Sequence, residues 1–186
     1  MVKLNAIYTR TGDGGSAGLV DGSRVSKASL RMAAIGEVDE ANAAIGLALS
    51  HADDEALGQQ LTRIQNELFD LGADVATPGD VQGALRIVPE QVARLEIDLD
   101  ALNADLEPLT SFILPSGSAA VSSLHMARTV VRRAERACVA LNEAEVLNPH
   151  LLSYLNRLSD FLFVAARATA NRTGGDVLWQ PGATRT

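Results

Sequence analysis

The sequence predicts an all-α protein, built as a five-helix bundle with a Gly-rich N-terminal loop. Three observations support this fold class. Apolar residues recur at helical spacing in five segments, aromatic residues make up only 4% of the chain, and alanine and leucine are abundant. Small aliphatic side chains favour closely packed helices over a β-sandwich. The 186 residues, of which 47% are hydrophobic and 21% charged, are expected to form one domain over residues 1–186 with a substantial core.

Charge and cysteine content exclude several classes of protein. A net charge of −7 argues against a nucleic-acid binder, because few cations are present to neutralise a run of phosphates. Cys138 is the only cysteine, so no intrachain disulfide is possible, and its place on a predicted core face indicates a structural thiol in a reducing compartment. No segment approaches the ~18 to 20 apolar residues needed to span a bilayer. No membrane association and a cytoplasmic location are therefore expected.

The N-terminal half is predicted to contain a strand or arm, a glycine-rich loop and two helices. Residues Lys3 to Tyr8 are expected to be extended, and the first helix to run from near Lys27 to Leu49. Asp54 is one of two candidate N-caps for a second helix that reaches Val75. Thr77 to Ile87 is then expected to be an exposed loop without function. The predicted apolar stripe of the first helix consists of Leu30, Ala34, Val38, Ala41, Ile45 and Ala48.

Proline and glycine mark the bounds of the remaining three helices. Pro89 opens the third helix and Pro108 closes it, and the fourth runs from about Ser118 to Leu141. The fifth begins at Pro149, capped by Asn148, and is stopped after Arg172 by two glycines.

The glycine-rich loop, Thr9 to Gly18, has the composition of an anion-binding loop. Four glycines and several hydroxyls within ten residues allow backbone N–H groups to turn towards one point. The loop lacks the Gly-Lys-Ser/Thr of a Walker motif, and such loops are more often flexible turns. Lys27 lies near enough in sequence to reach the same anion.

The fourth helix carries a stripe of charged residues. Arg128, Arg132, Glu135 and Arg136 share one face at roughly 100° per residue, with His125 beside them. A guanidinium suits the oxygens of a phosphate or carboxylate. Taken alone, the helix favours the simpler interpretation of a solvated face with spaced ion pairs. The other motifs reverse that preference.

Further polar residues stand where a bundle places ligand sites, on facing helices. Asn156, Asp160, Phe163 and Arg167 share one side of the fifth helix, and Phe112 stands at the mouth of the arginine-bearing helix. Asp39, in the middle of the first helix, is expected to be solvated or to pair with an arginine across a helix interface.

Four stretches, in order along the chain, resemble the PduO-type ATP:cob(I)alamin adenosyltransferases. They are Tyr-Thr-Arg-Thr-Gly-Asp-Gly-Gly from Tyr8, Gly-Glu-Val-Asp-Glu from Gly36, Phe-Ile-Leu-Pro-Ser-Gly from Phe112, and Arg128 to Arg136 together with Tyr154 to Asp160. Each match is modest, but together they are specific and cover nearly the whole chain.

The resemblance implies a homotrimer of five-helix bundles, with ATP bound between subunits. The loop that wraps the triphosphate maps onto Thr9, Arg10, Thr11, Gly12, Ala17, Gly18 and Lys27. The family's Arg-Arg-Ala-Glu-Arg motif maps onto residues 132 to 136, which gives Arg132, Arg133, Glu135 and Arg136 as ATP-binding residues, and its fifth-helix amide maps onto Asn156. Arg128 is implied as the partner of Asp39 across the subunit boundary. Phe112 is implied to pack below the corrin ring and to keep the lower nucleobase off cobalt.

The implied reaction is a displacement in which reduced cobalt attacks the 5′ carbon of ATP and the whole triphosphate leaves. Arg132, Phe112, Asp39 and Arg128 are the expected catalytic residues, with Mg²⁺ held on the phosphates and no metal site of the protein's own. The substrate corrinoid is cob(I)alamin, formed by reduction of cob(II)alamin. A reductase and an acceptor enzyme for adenosylcobalamin are expected partners.

Small departures from the family pattern concern the loop and one helix position. Gly14 stands where a lysine is common, Ser16 and Ala17 replace more hydroxylated residues, and Val131 replaces a cysteine. The loop changes bear on ATP affinity and not on the reaction class. Two other hypotheses remain: a chaperone that delivers a nucleotide or corrinoid without turnover, and a helical interaction module that binds no nucleotide.

Overall fold

The computed structural model describes residues 7–185, and within them the chain forms five helices and one short hairpin. The hairpin consists of β1 (Ser16–Gly18) and β2 (Arg24–Ser26). The helices are α1 (Leu30–Ser50), α2 (Glu55–Val75), α3 (Pro89–Asn103), α4 (Ala119–Ala144) and α5 (Pro149–Arg172). The predicted all-α bundle is therefore confirmed. Most of the extended segment predicted from Lys3 lies outside the described residues.

The core lies between α1, α4 and α5, with α2 packed on α1 and α3 packed on α5. Its largest fully buried side chains come from all five helices and include Ile45, Leu61, Leu68, Leu95, Leu124, Tyr154 and Phe161. Cys138 is fully buried among them, and burial raises the pKa of its thiol to about 12. The thiol is thus protonated and inert, as expected for a structural cysteine.

Polar side chains cap four of the helices. Asp54 accepts a hydrogen bond from Leu57 N at 2.8 Å, and Asn148 accepts one from His150 N at 3.1 Å, so these two predicted caps are confirmed. Ser118 caps α4 and Ser29 caps α1. Because Ser29 is the cap, α1 begins at Leu30 and not near Lys27.

The predicted apolar stripe of α1 is wrong at its first residue. Leu30 is exposed, whereas the neighbouring Arg31 is buried. The guanidinium of Arg31 donates to the carbonyl of Val75 and, at 2.7 Å, to the carboxylate of Glu145. A cation at the C-terminal end of α2 complements the helix dipole, so the first turn of α1 presents an arginine inward.

The loop between α2 and α3 is largely exposed, as predicted, but it is anchored at both ends. Thr77 and Ile87, at its two ends, are buried. The buried carboxylate of Asp74 accepts hydrogen bonds from Arg86 at 2.7 Å, from Ile87 N at 2.9 Å and from Asn148 Nδ2 at 2.8 Å. One carboxylate therefore ties this loop to α2 and to the start of α5.

None of the helices formed by residues 7–185 is long and apolar enough to cross a membrane.

Candidate active site

The glycine-rich loop is closed by the hairpin. Gly15 accepts a hydrogen bond from Lys27 N at 2.9 Å, and the strands pair antiparallel with Ser16 opposite Ser26. A Cβ built on Gly12 would lie 3.1 Å from Lys27 Nζ. The predicted proximity of Lys27 to the loop is confirmed, and a glycine at position 12 is what allows the ammonium to come so close.

Arg24, which the sequence did not single out, fixes the shape of the loop. Its Nη2 donates to the carbonyl of Thr11 at 2.7 Å and to Ser16 Oγ at 2.8 Å. The turn that precedes it places Gly22 at a φ of 84°, a conformation that favours glycine. The hairpin as a whole is fastened to the end of α2 by a hydrogen bond from Val20 N to Ala76 O at 3.1 Å.

The remaining loop residues predicted to bind triphosphate are open to solvent. Thr9 and Thr11 are exposed, and their hydroxyls lie 2.9 Å apart. Arg10 has a φ of 60° and its guanidinium lies 5.6 Å from the ring of Tyr8. The structure places Ala17 and Gly18 in β1, where Arg24 faces Gly18.

Two arginines of the stripe on α4 face outward. Arg132 and Arg136 are exposed, and within residues 7–185 no carboxylate forms an ion pair with the side chain of either residue. Glu135 accepts a hydrogen bond from Asn156 Nδ2 at 2.9 Å, which joins α4 to α5. The fold thus brings together Arg132, Glu135, Arg136 and Asn156, four of the residues assigned to ATP.

Arg133 points elsewhere. Its guanidinium forms ion pairs with Glu37 and Glu40 of α1, and these hydrogen bonds raise the pKa of Arg133 above its usual range. In this chain Arg133 fastens α4 to α1, a role that differs from the ATP contact predicted for it.

A cavity of about 690 Å³ opens beside the N-terminal half of α4. Phe112 stands at its rim with 78% of its side chain exposed, whereas His125 is only 3% exposed. The guanidinium carbon of Arg128 lies 6.0 Å from the centre of the Phe163 ring, within range of a cation–π contact. The remaining lining residues are Leu109, Thr110, Ser111 and Ile113.

The electrostatics of this cavity are set by burial. Burial lowers the pKa of His125, and the positive charge of Arg128 lowers it further. Burial also lowers the pKa of Arg128, with a smaller contribution from Arg132. Arg128 Nε is buried and has no hydrogen-bond partner in the described part of the chain. The cavity therefore holds a cation and a neutral imidazole whose hydrogen-bonding capacity is not used.

The tail after α5 pairs with the segment that carries Phe112 at the cavity rim. Leu114 N donates to Val177 O at 2.8 Å, Trp179 N donates to Phe112 O at 2.8 Å, and Ile113 and Leu178 form an antiparallel bridge. Arg167 holds the tail in place by binding Asp176 at 2.9 Å. Arg167 therefore has a structural role. The bridge between Ile113 and Leu178 joins residues more than sixty positions apart, so no local pattern indicated it.

Two predicted pairings are not made within one chain. Asp39 is exposed on α1, and in residues 7–185 it forms no ion pair with Arg128. Likewise, no hydrogen bond or ion pair between described residues connects the loop at 7–27 with the stripe at 128–136. The two halves of the predicted ATP site therefore share no direct polar contact within the described part of one chain.

Comparison with known proteins identifies the family. The model of a family described as cobalamin adenosyltransferase matches residues 7–169, which include the loop, the cavity and the arginine stripe. The chain belongs to the cobalamin adenosyltransferase family.

Named relatives of this adenosyltransferase family support the assignment. A corrinoid adenosyltransferase of Mycobacterium bovis is 50% identical over 192 aligned positions, covering 100% of this chain and 98% of the relative. A cobalamin adenosyltransferase of Cupriavidus metallidurans is 52% identical and covers 96% of both chains. The solved structure of a variant PduO-type ATP:corrinoid adenosyltransferase from Lactobacillus reuteri, complexed with cobalamin and ATP, is 37% identical, with a TM-score of 0.88 over 94% of this chain and 99% of that one.

The described residues of this adenosyltransferase family member offer no protein cage for a metal ion. Among residues 7–185 there is no group of three or more His, Cys, Asp or Glu side chains that could hold one. The exposed hydroxyls and cations of the loop are instead suited to bind an anion that brings its own counter-ion.

Proposed function

We propose that this protein transfers the 5′-deoxyadenosyl group of ATP to the cobalt of cob(I)alamin, giving adenosylcobalamin and triphosphate. The observation that carries the proposal is the arrangement on α4. Arg132 is free to bind an anion, and Arg128, one helical turn earlier, lines a cavity of about 690 Å³ walled by Phe112 and Phe163. An anion site beside a largely apolar cavity is suited to a triphosphate and a corrin ring held side by side.

The reaction is a displacement at the 5′ carbon of ATP. The electron pair of Co(I) forms the cobalt–carbon bond, the bond from C5′ to oxygen breaks, and its electrons leave with the triphosphate. Alignment of cobalt, carbon and oxygen supplies up to ~7 to 11 kcal/mol of the barrier reduction in favourable cases. Charge builds on the leaving oxygen, so the guanidinium of Arg132 and the ammonium of Lys27 are placed to stabilise the transition state. No general base is required.

Phe112 serves the corrinoid half of the reaction. Its exposed ring at the cavity rim is placed to pack against the lower face of the corrin and to keep the lower nucleobase off cobalt. Without that axial donor, the electron that converts cob(II)alamin to cob(I)alamin enters an orbital of lower energy. The residue therefore favours both reduction and attack.

The site is shared between subunits of a homotrimer. Within the described part of one chain, the loop and the arginine stripe share no hydrogen bond or ion pair, which fits an assembly in which different subunits contribute them to one triphosphate site. One subunit contributes Thr9, Arg10, Thr11, Gly12, Ala17, Gly18 and Lys27, and its neighbour contributes Arg132, Glu135, Arg136 and Asn156. Asp39 of one subunit then pairs with the half-buried Arg128 of another, and Arg133 positions the stripe through α1.

Mg²⁺, bound to phosphate oxygens of ATP, would neutralise part of the triphosphate charge. The exposed loop that would hold the triphosphate carries three side chains suited to contact the water ligands of Mg²⁺: Asp13, Thr9 and Thr11. The enzyme works in the cytoplasm, where Cys138 remains reduced. A reductase supplies the electron that forms cob(I)alamin, and an acceptor enzyme receives the adenosylcobalamin.

An anaerobic assay tests the function. The purified protein is mixed with chemically reduced cob(I)alamin, ATP and Mg²⁺, and the visible spectrum is followed for adenosylcobalamin. Product that forms only when all components are present supports the proposal. ATP binding without product would instead indicate a delivery chaperone, and absence of ATP binding would indicate a helical interaction module.

A further inference from the structure

The cavity beside α4 contains a second polar residue for which neither the family motifs nor the proposed chemistry has assigned a role. His125 is 3% exposed and lies on the face of α4 that carries Arg128, one turn away. Its Nδ1 is buried and has no hydrogen-bond partner among residues 7–185. A buried imidazole that lines a cavity with an unpaired nitrogen is poised to bind whatever fills that cavity.

The groups around His125 do not satisfy it. The Phe163 ring of α5 lies 6.4 Å away at an interplanar angle of 59°, and offers no lone pair. Arg128, on the same helix, is a donor only. Asp176, in the tail, is a carboxylate whose charge acts on His125, and Arg167 of α5 already binds it at 2.9 Å. The hydrogen-bonding capacity of the imidazole is therefore left for a ligand.

The same surroundings keep the imidazole neutral. Burial lowers its pKa most, the cation of Arg128 lowers it further, and Asp176 raises it by a smaller amount. A neutral imidazole has one donor and one acceptor nitrogen, whereas a charged one has two donors. The unpartnered Nδ1 can therefore pair with a ligand group that offers either a donor or an acceptor, and a primary carboxamide offers both.

We propose that His125 is a substrate-positioning residue that hydrogen-bonds a peripheral carboxamide of the corrinoid. This bond would set the orientation of the corrin ring above Phe163. The inference rests on the proposed adenosyltransferase function and adds to it the atom that recognises the corrinoid edge. The neutral imidazole pairs with the amide, while Arg128 stays available for its partner across the subunit boundary. As pH falls through the pKa of His125, the acceptor nitrogen is lost and a second positive charge appears beside Arg128, so corrinoid binding weakens.

Three variants separate this role from a structural one. His125→Phe fills the space and removes both polar atoms, and His125→Asn keeps a donor and an acceptor but does not titrate. His51→Phe is the matched control, because His51 is exposed at the end of α1, away from the cavity. KM for cob(I)alamin and KM for ATP are measured separately from about pH 6 to 8.5, the range in which histidines titrate, together with the melting temperature.

We expect His125→Phe to raise the corrinoid KM about tenfold, the loss of roughly one good hydrogen bond, with the ATP KM changed less than about twofold. His125→Asn should recover most of that loss and flatten the rise in corrinoid KM that the wild type shows at low pH. The inference would be overturned by an unchanged corrinoid KM in His125→Phe or by equal increases in the KM values for corrinoid and ATP. It would also be overturned if His125→Asn and the wild type showed the same dependence of corrinoid KM on pH.

If His125→Phe does not fold, the pH profile of His125→Asn still decides the matter. A wild-type protein that forms no adenosylcobalamin would reject the proposed function itself. In that case the binding of cob(II)alamin, followed by its visible spectrum, tests the histidine by the same criteria with a dissociation constant in place of KM.

Discussion

Trp179 donates its backbone N–H to the carbonyl of Phe112 at 2.8 Å, and the two rings lie 6.0 Å apart at an angle of 60°. The tail thereby holds the one exposed aromatic residue at the cavity rim by both backbone and side chain. The segment before α4 and the tail after α5 are thus joined, and the position of the Phe112 ring depends on a tail that follows the last helix.

Trp179→Ala is expected to weaken corrinoid binding without affecting the bundle. A tilted aromatic pair contributes about 0.5 to 1.5 kcal/mol, so the corrinoid KM should rise roughly two- to tenfold. The ring of Trp179 is partly exposed, and the melting temperature should change by less than about 2 °C. Val146→Ala, which removes an exposed side chain distant from the rim, should change neither quantity. Parallel steady-state kinetics and thermal melts would reveal a structural role if the corrinoid KM rose and the melting temperature fell together.

Arg132→Ala is expected to cut turnover by about 10²- to 10³-fold, because the leaving triphosphate loses a positioned cation. Its side chain is exposed and has no ion-pair partner in residues 7–185, so the far-UV spectrum and melting temperature should stay nearly unchanged. Arg172→Ala removes another exposed arginine, one that binds Asp54 away from the stripe, and should keep full activity. A loss of fold equal to the loss of activity would mean that Arg132 is structural.

Asp39→Asn is expected to weaken trimer assembly or substrate binding through loss of the ion pair with Arg128 of another subunit. Within one chain neither side chain has a charged partner among the described residues, so the variant should leave the fold of the subunit intact. Sedimentation analysis over a concentration series, with corrinoid KM measured in parallel, checks this. Asp53→Asn, in the exposed turn after α1, is the control. Wild-type assembly and kinetics in Asp39→Asn would exclude the pairing.

Asp74→Ala is expected to lower the free energy of unfolding by about 3 to 5 kcal/mol. The reason is that the guanidinium of Arg86, the backbone N–H of Ile87 and the side-chain amide of Asn148 lose their common acceptor. Denaturant unfolding measures this loss, and limited proteolysis should show earlier cleavage between residues 77 and 88. Asp80→Ala, in the exposed part of the same loop, should behave as the wild type. Stability unchanged in Asp74→Ala would show that the network contributes no net energy.

Local signals predicted the helices well. Asp54, Asn148 and Pro149 each act within one turn of a helix end, so the sequence alone located those bounds. The charged stripe of α4 was also predictable, because it depends only on helical spacing. The family resemblance, which combined four such stretches, gave the reaction class.

Long-range partners were not predictable in the same way. The hairpin has strands of only three residues, too short to show an alternating pattern. The sequence therefore did not indicate that Arg24 fixes the shape of the loop. Arg133 and Arg167 each pair with a carboxylate on another segment, and sequence alone shows the charge but not that partner. Asp74 and Arg31 appeared ordinary for the same reason, although each holds a buried junction between helices.

The most direct test of the account follows the carbon that is transferred. Cob(I)alamin is incubated anaerobically with the protein, Mg²⁺ and ATP labelled with ¹³C at C5′, and the products are examined by NMR and anion-exchange chromatography. The account predicts one labelled cobalt-bound carbon and one intact triphosphate for each corrinoid consumed, with no reaction in Arg132→Ala on the same timescale. Label retained in ATP, or release of phosphate and diphosphate from the start, would contradict it.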